Sequence, residues 1–176
     1  MFSHDPLAHP EPLIRRVYAY VAYRIGDGAD AEDVTSATFE RAVRYRSSYD
    51  RRKGDPAAWL IGIARRELAE ALAARAQAAG AAVPDVAAPG DLEEDSALRL
   101  DTAAAMLRLD ERDRELLALR YGADLTAKQI AELLDERTNT VEVALHRALR
   151  KLRKALDRED EAPAPAEVHS FEGVRA

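Results

Sequence analysis

Six basic side chains are concentrated in one stretch of the chain that contains a single acidic residue, Glu142. They are Arg137, Arg147, Arg150, Lys151, Arg153 and Lys154. Cations arranged along a helix can neutralise nucleic-acid phosphates and release counterions, while the beginning of the helix approaches base edges. Arg and Lys near the end of a helix are also common as solvated charges that favour its dipole. Charge alone therefore leaves both interpretations open.

The residues around this basic stretch are typical of a helix-turn-helix. Thr126 and Gln129 have the spacing of a capping box, in which each side chain satisfies a backbone amide of the other residue. The sequence DERT at 135–138 predicts a turn before a longer helix. Upstream, Asp110 is placed to cap a helix that Gly122 ends. A short helix, a tight turn and a longer helix with basic flanks predict a helix-turn-helix module at residues 98–156.

A second module is predicted at residues 10–76, where apolar residues recur at helical spacing over three segments. The second of its helices is expected to be capped by Asp30 and to bury Val43. The third is expected to begin with Asp55 as its cap and Pro56 at its first position, and to bury Leu72. Trp59, in the same helix, is assigned to the core. The expected fold class is therefore all-α, with a three-to-four-helix bundle and a helix-turn-helix domain.

The net charge of −6 is unevenly distributed over the 176 residues. Residues 77–97 hold five acidic and no basic side chains, and residues 157–176 hold six acidic and two basic ones. Both segments also have the composition of solvated chain. They are predicted to be a flexible acidic linker, which lets the domains change relative position, and a disordered acidic tail rich in Pro and Ala.

Composition excludes several kinds of chemistry. The chain has no Cys, and its four His residues are too scattered for a ligand set. No glycine-rich phosphate loop and no Ser, His and Asp grouping is present, so neither an enzyme nor a metal or other cofactor is expected. The sequence offers no signal peptide and no apolar run long enough to cross a membrane, which favours a cytoplasmic protein.

Short motifs in both modules carry a family resemblance. The first module contains DAEDV at 30–34, TF at 38–39, RA at 41–42, DP at 55–56, AWL at 58–60 and IAR at 63–65. The second contains ERDRE at 111–115, LALRY at 117–121, IAE at 130–132, TV at 140–141 and LHRA at 145–148. Together they resemble an extracytoplasmic-function (ECF) sigma factor, the two-domain initiation subunit of bacterial RNA polymerase. The first module resembles sigma region 2 and the second resembles sigma region 4.

The resemblance implies core RNA polymerase, promoter DNA and an anti-sigma factor as partners. The helix that opens at Asp30 would pack on the clamp helices of the polymerase, with contacts from Asp33, Phe39, Arg41 and Arg44. In the loop from Tyr49 to Asp55, Tyr49 would stack on an unpaired base of the promoter near the start site, and Arg51, Arg52 and Lys53 would hold phosphates. The remaining implied DNA contacts are Arg65, Arg66, Thr140, His146, Arg147, Arg150, Lys151 and Lys154.

The chain departs from the family pattern on both of its DNA-facing surfaces. Ala73 and Ala74 stand where the family usually has basic residues, and Glu142, Val143 and Ala144 follow Thr-Val where basic and small polar residues are common. These departures leave two hypotheses. One is an alternative sigma factor with an unusual upstream-element preference. The other is a sigma-like interaction protein that binds polymerase or a regulator and contacts promoters weakly.

Overall fold

The computed structural model describes residues 5–78, 102 and 104–160, with only the backbone of Lys53 and of residues 158–160. The first module consists of α1 (Pro10–Ile25), α2 (Ala29–Tyr45) and α3 (Pro56–Ala78), with two 3-10 turns, Arg46–Ser48 and Arg51–Lys53, between α2 and α3. The second module consists of α4 (Glu111–Leu117), a π-helical turn (Ala118–Gly122), α5 (Ala127–Leu134) and α6 (Thr138–Asp160). Residues 104–107 form a further helical turn. The all-α prediction is confirmed.

The predicted linker and tail lie mostly outside the described residues. Residues 77 and 78 belong to α3, and residues 157–160 belong to α6. The other residues of the predicted linker and tail, 79–97 and 161–176, lie outside the described residues. The flexibility of both segments stays a prediction.

Local capping defines the ends of several helices, as their sequences predict. The Asp55 carboxylate accepts a hydrogen bond from the Ala58 amide at 2.9 Å. The Asp110 carboxylate accepts one from the Asp113 amide at 2.9 Å. Both halves of the Thr126 and Gln129 capping box are formed. These side chains satisfy amides of the first helical turn that have no partner within the helix.

One predicted cap is wrong. The residue before α2 is Gly28, and Asp30 lies inside the first turn of the helix. Its carboxylate forms an ion pair with Arg75 near the end of α3 instead. Gly28 has a φ of 128°, which residues with a Cβ rarely adopt. The turn therefore places glycine at the cap position of α2, where Asp30 was expected.

Two predicted core residues are also exposed, and helical geometry explains both. Val43 is 56% exposed because the buried face of α2 passes through Thr38 and Ala42, and the next residue is rotated by about 100° from that face. Leu72 is 39% exposed because α3 continues beyond its buried segment, which ends at Leu68. Trp59, assigned to the core, is half-buried and packs against it.

The two modules share one hydrophobic core. Val17, Tyr20 and Val21 of α1 cluster with Leu116 and with buried residues of the other helices; these include Ala31, Leu60, Ile61, Leu119, Leu125, Ile130 and Val141. The residues of α1 lie against the π-helical turn of the second module as well as against α2 and α3. Burial of this apolar surface stabilises the contact between the modules.

Gly122 marks the closest approach between the modules. A Cβ at this position would lie 2.9 Å from backbone atoms of Ala19 and Tyr20 in α1. Arg16 reinforces the contact, since its guanidinium donates to the carbonyls of Ala123 at 2.6 Å and Asp124 at 3.0 Å. The second module is thus held against α1 by both packing and hydrogen bonds.

Candidate nucleic-acid and polymerase interfaces

The long helix α6 presents a basic face. Its buried side is formed by Val141 and Ala148, which anchor it to α4 and α5. The basic or potentially basic side chains of α6 predicted to contact DNA are all five exposed: His146, Arg147, Arg150, Lys151 and Lys154. Arg147, Arg150 and Lys154 recur at a helical spacing that places them on one side. A shallow groove there is lined by Val143, His146, Arg147, Leu149, Arg150 and Arg153.

The first turns of α6 carry little positive charge. Thr140, Glu142 and Val143 are exposed, and Ala144 is half-buried. Within the part of the chain that the structure describes, Glu142 forms no ion pair with His146 or Arg147. Its carboxylate therefore remains a solvated negative charge beside the residues predicted to bind phosphate.

Lys151 lies one turn after Arg147 on the same side of α6, but its ammonium is engaged by α4. Its ammonium donates to Asp110 at 2.8 Å and also to Asp113, both at the beginning of α4. The hydrogen bond with Asp110 is the main cause of the raised pKa of Lys151, and the reciprocal contact lowers the pKa of Asp110 to about 2. The structure thus places the charge of Lys151 in a contact between helices.

The turn between α5 and α6 is fixed by residues whose contribution the sequence did not reveal. Asp135 adopts a left-handed conformation with a φ of 55°, which Asp tolerates better than most side chains. Glu136 donates its amide to the Ala131 carbonyl at 2.9 Å and pairs with Arg112 of α4. These contacts hold the turn that the DERT sequence predicts.

The loop between α2 and α3 folds back on α3. The Tyr49 hydroxyl donates to the Gly54 carbonyl at 3.0 Å, and the Tyr49 ring lies 5.5 Å from the Trp59 ring at an interplanar angle of 57°. Arg51 is exposed, while Arg52 is exposed and pairs with Asp50 at 3.2 Å. Lys53 belongs to the second 3-10 turn. The loop therefore offers cations to solvent and holds its aromatic ring against α3.

The four residues implied in polymerase binding have different environments on α2. Asp33 and Arg44 are exposed and lie three helical turns apart on the same side. Phe39 is half-buried and packs against the core. Arg41 bridges to α3 through Glu67 at 2.7 Å and Glu70 at 3.3 Å. Asp33 and Arg44 are thus free to meet a partner, whereas Phe39 and Arg41 also support the bundle.

Arg65 and Arg66, predicted together as DNA contacts, point in different directions. Arg66 is exposed, whereas Arg65 donates its Nε to the Glu115 carboxylate of α4 at 2.8 Å. The same carboxylate pairs with Arg24 and accepts a hydrogen bond from the Tyr20 hydroxyl at 3.1 Å. Burial is the main cause of the raised pKa of Tyr20. The structure therefore separates the two arginines: Arg66 is exposed, and Arg65, with 35% of its side chain exposed, is engaged by Glu115.

A second contact links the caps of two helices in different modules. The Gln129 amide group donates to the Asp55 carboxylate that caps α3. A cleft between the modules is lined by Arg24, Arg65, Arg66, Leu68, Leu72 and Leu133, among others.

Among residues 5–78, 102 and 104–160 no group of three His, Asp or Glu side chains that could hold a metal comes together. Over the same residues, no helix is both long enough and apolar enough to cross a membrane.

Comparisons with known proteins agree with these two modules. Residues 11–78 match Sigma-70 region 2, and residues 99–152 match Sigma-70 region 4. The chain is 31% identical over 152 residues to the ECF RNA polymerase sigma factor SigK of Mycobacterium ulcerans, covering 81% of this chain and 80% of that protein. It is also 31% identical over 147 residues to the ECF RNA polymerase sigma factor BldN of Streptomyces coelicolor, covering 80% of this chain and spanning only 56% of that protein.

Solved structures show the same fold. The sigma factor RpoE, in complex with the anti-sigma factor NepR from Bartonella quintana, superposes with a TM-score of 0.68 at 20% identity and covers 83% of this chain and 92% of that chain. CnrH, in complex with the cytosolic domain of CnrY, gives a TM-score of 0.57 at 21% identity, covering 84% of this chain and 83% of that chain. With both sigma regions matched in order and a relative covered over most of its length, the chain belongs to the ECF RNA polymerase sigma factors, the family of subunits that direct transcription initiation.

Proposed function

We propose that this sigma factor divides promoter recognition between the α2–α3 loop and the basic face of α6. In this proposal α2 binds core polymerase through Asp33 and Arg44, with Phe39 and Arg41 shaping the same surface. The loop with Arg51 and Arg52, together with Arg66, holds promoter DNA near the start site. The exposed cations of α6 hold the upstream element.

The observation that carries the proposal is the exposure of His146, Arg147, Arg150 and Lys154 on a capped helix-turn-helix. Cations that are free of intramolecular partners can exchange water and counterions for phosphates at little cost. Thr140 adds an exposed hydroxyl near the beginning of the helix, where recognition helices contact base edges.

The second hypothesis, a sigma-like interaction protein with weak promoter contact, is favoured by a different observation. Glu142 and Val143 occupy the exposed early turns of α6, and Lys151 is engaged by two carboxylates. Fewer cations of α6 are then available to bind the upstream element than the sequence predicts. An anti-sigma factor belongs to the proposed partners under both hypotheses, because the structural neighbour RpoE was solved in complex with the anti-sigma factor NepR.

Run-off transcription with core polymerase and a library of random promoters distinguishes these hypotheses. A working sigma factor selects a defined subset of sequences from the library. An Asp33→Arg variant is expected to lose polymerase binding with an unchanged circular dichroism spectrum, because Asp33 is exposed. Polymerase binding without any selected promoter would favour the interaction protein.

A further inference from the structure

One buried carboxylate connects the two sigma regions. The Glu115 side chain is 9% exposed, and the partners that its carboxylate finds, Tyr20, Arg24 and Arg65, all belong to the first module. These residues lie 95, 91 and 50 positions away in the sequence. Arg24 is also largely buried, with 11% of its side chain exposed. The contact is thus a charged group of region 4 enclosed by region 2.

Burial makes this contact sensitive to the loss of either charge. An ionised carboxylate is costly to remove from water unless cations and hydrogen-bond donors compensate it. Here two guanidinium groups and a phenol provide that compensation. If the carboxylate loses its charge, Arg24 and Arg65 are left facing each other without a counterion between them. The closed arrangement then loses its electrostatic support and keeps its apolar contacts.

The same contact occupies a group that the family resemblance implies as a DNA contact. Arg65 is predicted to contact promoter DNA, and its Nε donates to Glu115 in the structure. Gln129 of the helix-turn-helix holds the beginning of α3, and Leu133 packs near Gly62 on the same helix. The second module therefore covers the side of α3 from which Arg65 projects.

We propose that Glu115 is an intramolecular latch that holds the two sigma regions closed and competes with DNA phosphates for Arg65. The inference rests on the proposed promoter contacts of region 2. A carboxylate and a phosphate both present anionic oxygens to which a guanidinium can donate hydrogen bonds, so one can replace the other. Binding of DNA by Arg65 then requires the latch to open. If the open form is about one tenth of the population, the apparent affinity for DNA is reduced about tenfold.

Opening is measured directly on the full chain by fluorescence energy transfer. The protein has no Cys, so Ser36→Cys on α2 and Glu132→Cys on α5, both at exposed positions, accept a dye pair without competing thiols. Glu115→Gln is expected to lower the transfer efficiency. Glu111→Gln is the matched control, since Glu111 lies one turn earlier on α4 and contacts the same Arg24 at 3.3 Å, but is 84% exposed. A circular dichroism spectrum and a melting curve of Glu115→Gln that match those of wild type would show that the variant opens without unfolding.

DNA binding by the same proteins tests the competition. The probe is a labelled duplex of mixed sequence at low salt, because phosphate contacts do not depend on base sequence. Glu115→Gln is expected to bind it several-fold more tightly than wild type. Arg65→Gln removes one of the three partners of Glu115 and is expected to gain no affinity, because it removes the group that opening would release to DNA.

The outcomes separate the latch from the promoter contacts. Equal transfer efficiency in wild type and Glu115→Gln would overturn the latch. Opening with unchanged DNA affinity would overturn the competition for Arg65. If the duplex binds none of the proteins, the promoter contacts proposed for region 2 are wrong, and the energy transfer still decides whether Glu115 holds the domains together.

Discussion

At the scale of single residues, Arg147 and its neighbours on α6 combine exposure with helical spacing. Arg147, Arg150 and Lys154 lie on one side of the helix and are open to solvent. Val143 lies one turn before Arg147 and begins this row of side chains along one side of α6. Under the proposed function, Arg147 would therefore be the first cation of this row to meet a DNA groove that approaches the beginning of α6.

Arg147→Ala should weaken promoter binding by about 1 to 3 kcal/mol if the guanidinium makes a bidentate contact with a base. If it binds a phosphate instead, affinity falls for all sequences alike and the salt dependence decreases by about one contact. Titrations over a salt series measure both quantities. Lys128→Ala is the control, since Lys128 is 77% exposed and lies on α5. Equal affinity and slope in wild type and Arg147→Ala would remove this residue from the interface.

Glu142→Lys exchanges a solvated negative charge for a positive one at the beginning of α6. Because Glu142 has no ion pair among the described residues, the change breaks no contact. Binding should strengthen, and the salt dependence should steepen by about one phosphate. The same salt titrations provide the measurement. A variant indistinguishable from wild type would mean that this turn of α6 does not approach DNA.

At the scale of elements, the contact between α4 and α6 contains a carboxylate whose ionisation is linked to folding. The hydrogen bond from Lys151 is the main cause of the lowered pKa of Asp110, about 2 against an ordinary 3.8. Since the folded protein favours the ionised form, the contact stabilises it fully above about pH 4 and loses that effect as the pH falls towards about 2. Asp110 also caps α4, so its protonation weakens two contacts together.

The pH dependence of melting should report this linkage. Wild-type protein should lose more melting temperature between pH 5 and about pH 2 than Lys151→Met, which lacks the cation that holds Asp110 ionised. Comparison with the variant is needed because other carboxylates titrate in the same range. If the melting temperatures of the two proteins fall equally between pH 5 and about pH 2, Lys151 does not set the ionisation of Asp110.

The element boundaries illustrate what sequence could predict. Asp55, Asp110 and the pair Thr126 and Gln129 act over three residues, and such local hydrogen bonds can be read from spacing. Asp30 was misplaced because Gly28, which tolerates a positive φ, ends the preceding turn first. The prediction of a helix-turn-helix depended on the same local signals and is matched by α5, α6 and the turn between them.

At the scale of the whole molecule, the packing of the two modules could not be predicted. Glu115 meets partners 50 to 95 residues away, and helical periodicity says only that its position faces inward. The pattern of charges along the chain does not indicate which arginine pairs with a buried carboxylate. Arg65 was accordingly assigned to DNA, and Tyr20 and Arg24 were not recognised as a charged contact between modules.

Gly122→Ala tests the packing between the modules separately from their charges. The new Cβ would lie 2.9 Å from the α1 backbone, so the modules must separate by a few tenths of an ångström or more. Overpacking of this kind typically costs about 1 to 3 kcal/mol. The expected result is a lower melting temperature and a larger radius of gyration by small-angle scattering. A variant as stable and as compact as wild type would contradict the close approach.

The contact between Tyr49 and Trp59 has an optical consequence. Trp59 is the single tryptophan of the chain, so all of its indole emission arises beside the loop proposed to hold promoter DNA. Its ring is half-buried against the core and 5.5 Å from Tyr49. If Tyr49 swings out to stack on an unpaired base, the indole gains water on that side, and its emission should shift to longer wavelength. The native protein thus carries an unlabelled reporter of strand capture, positioned by the same loop that would perform it.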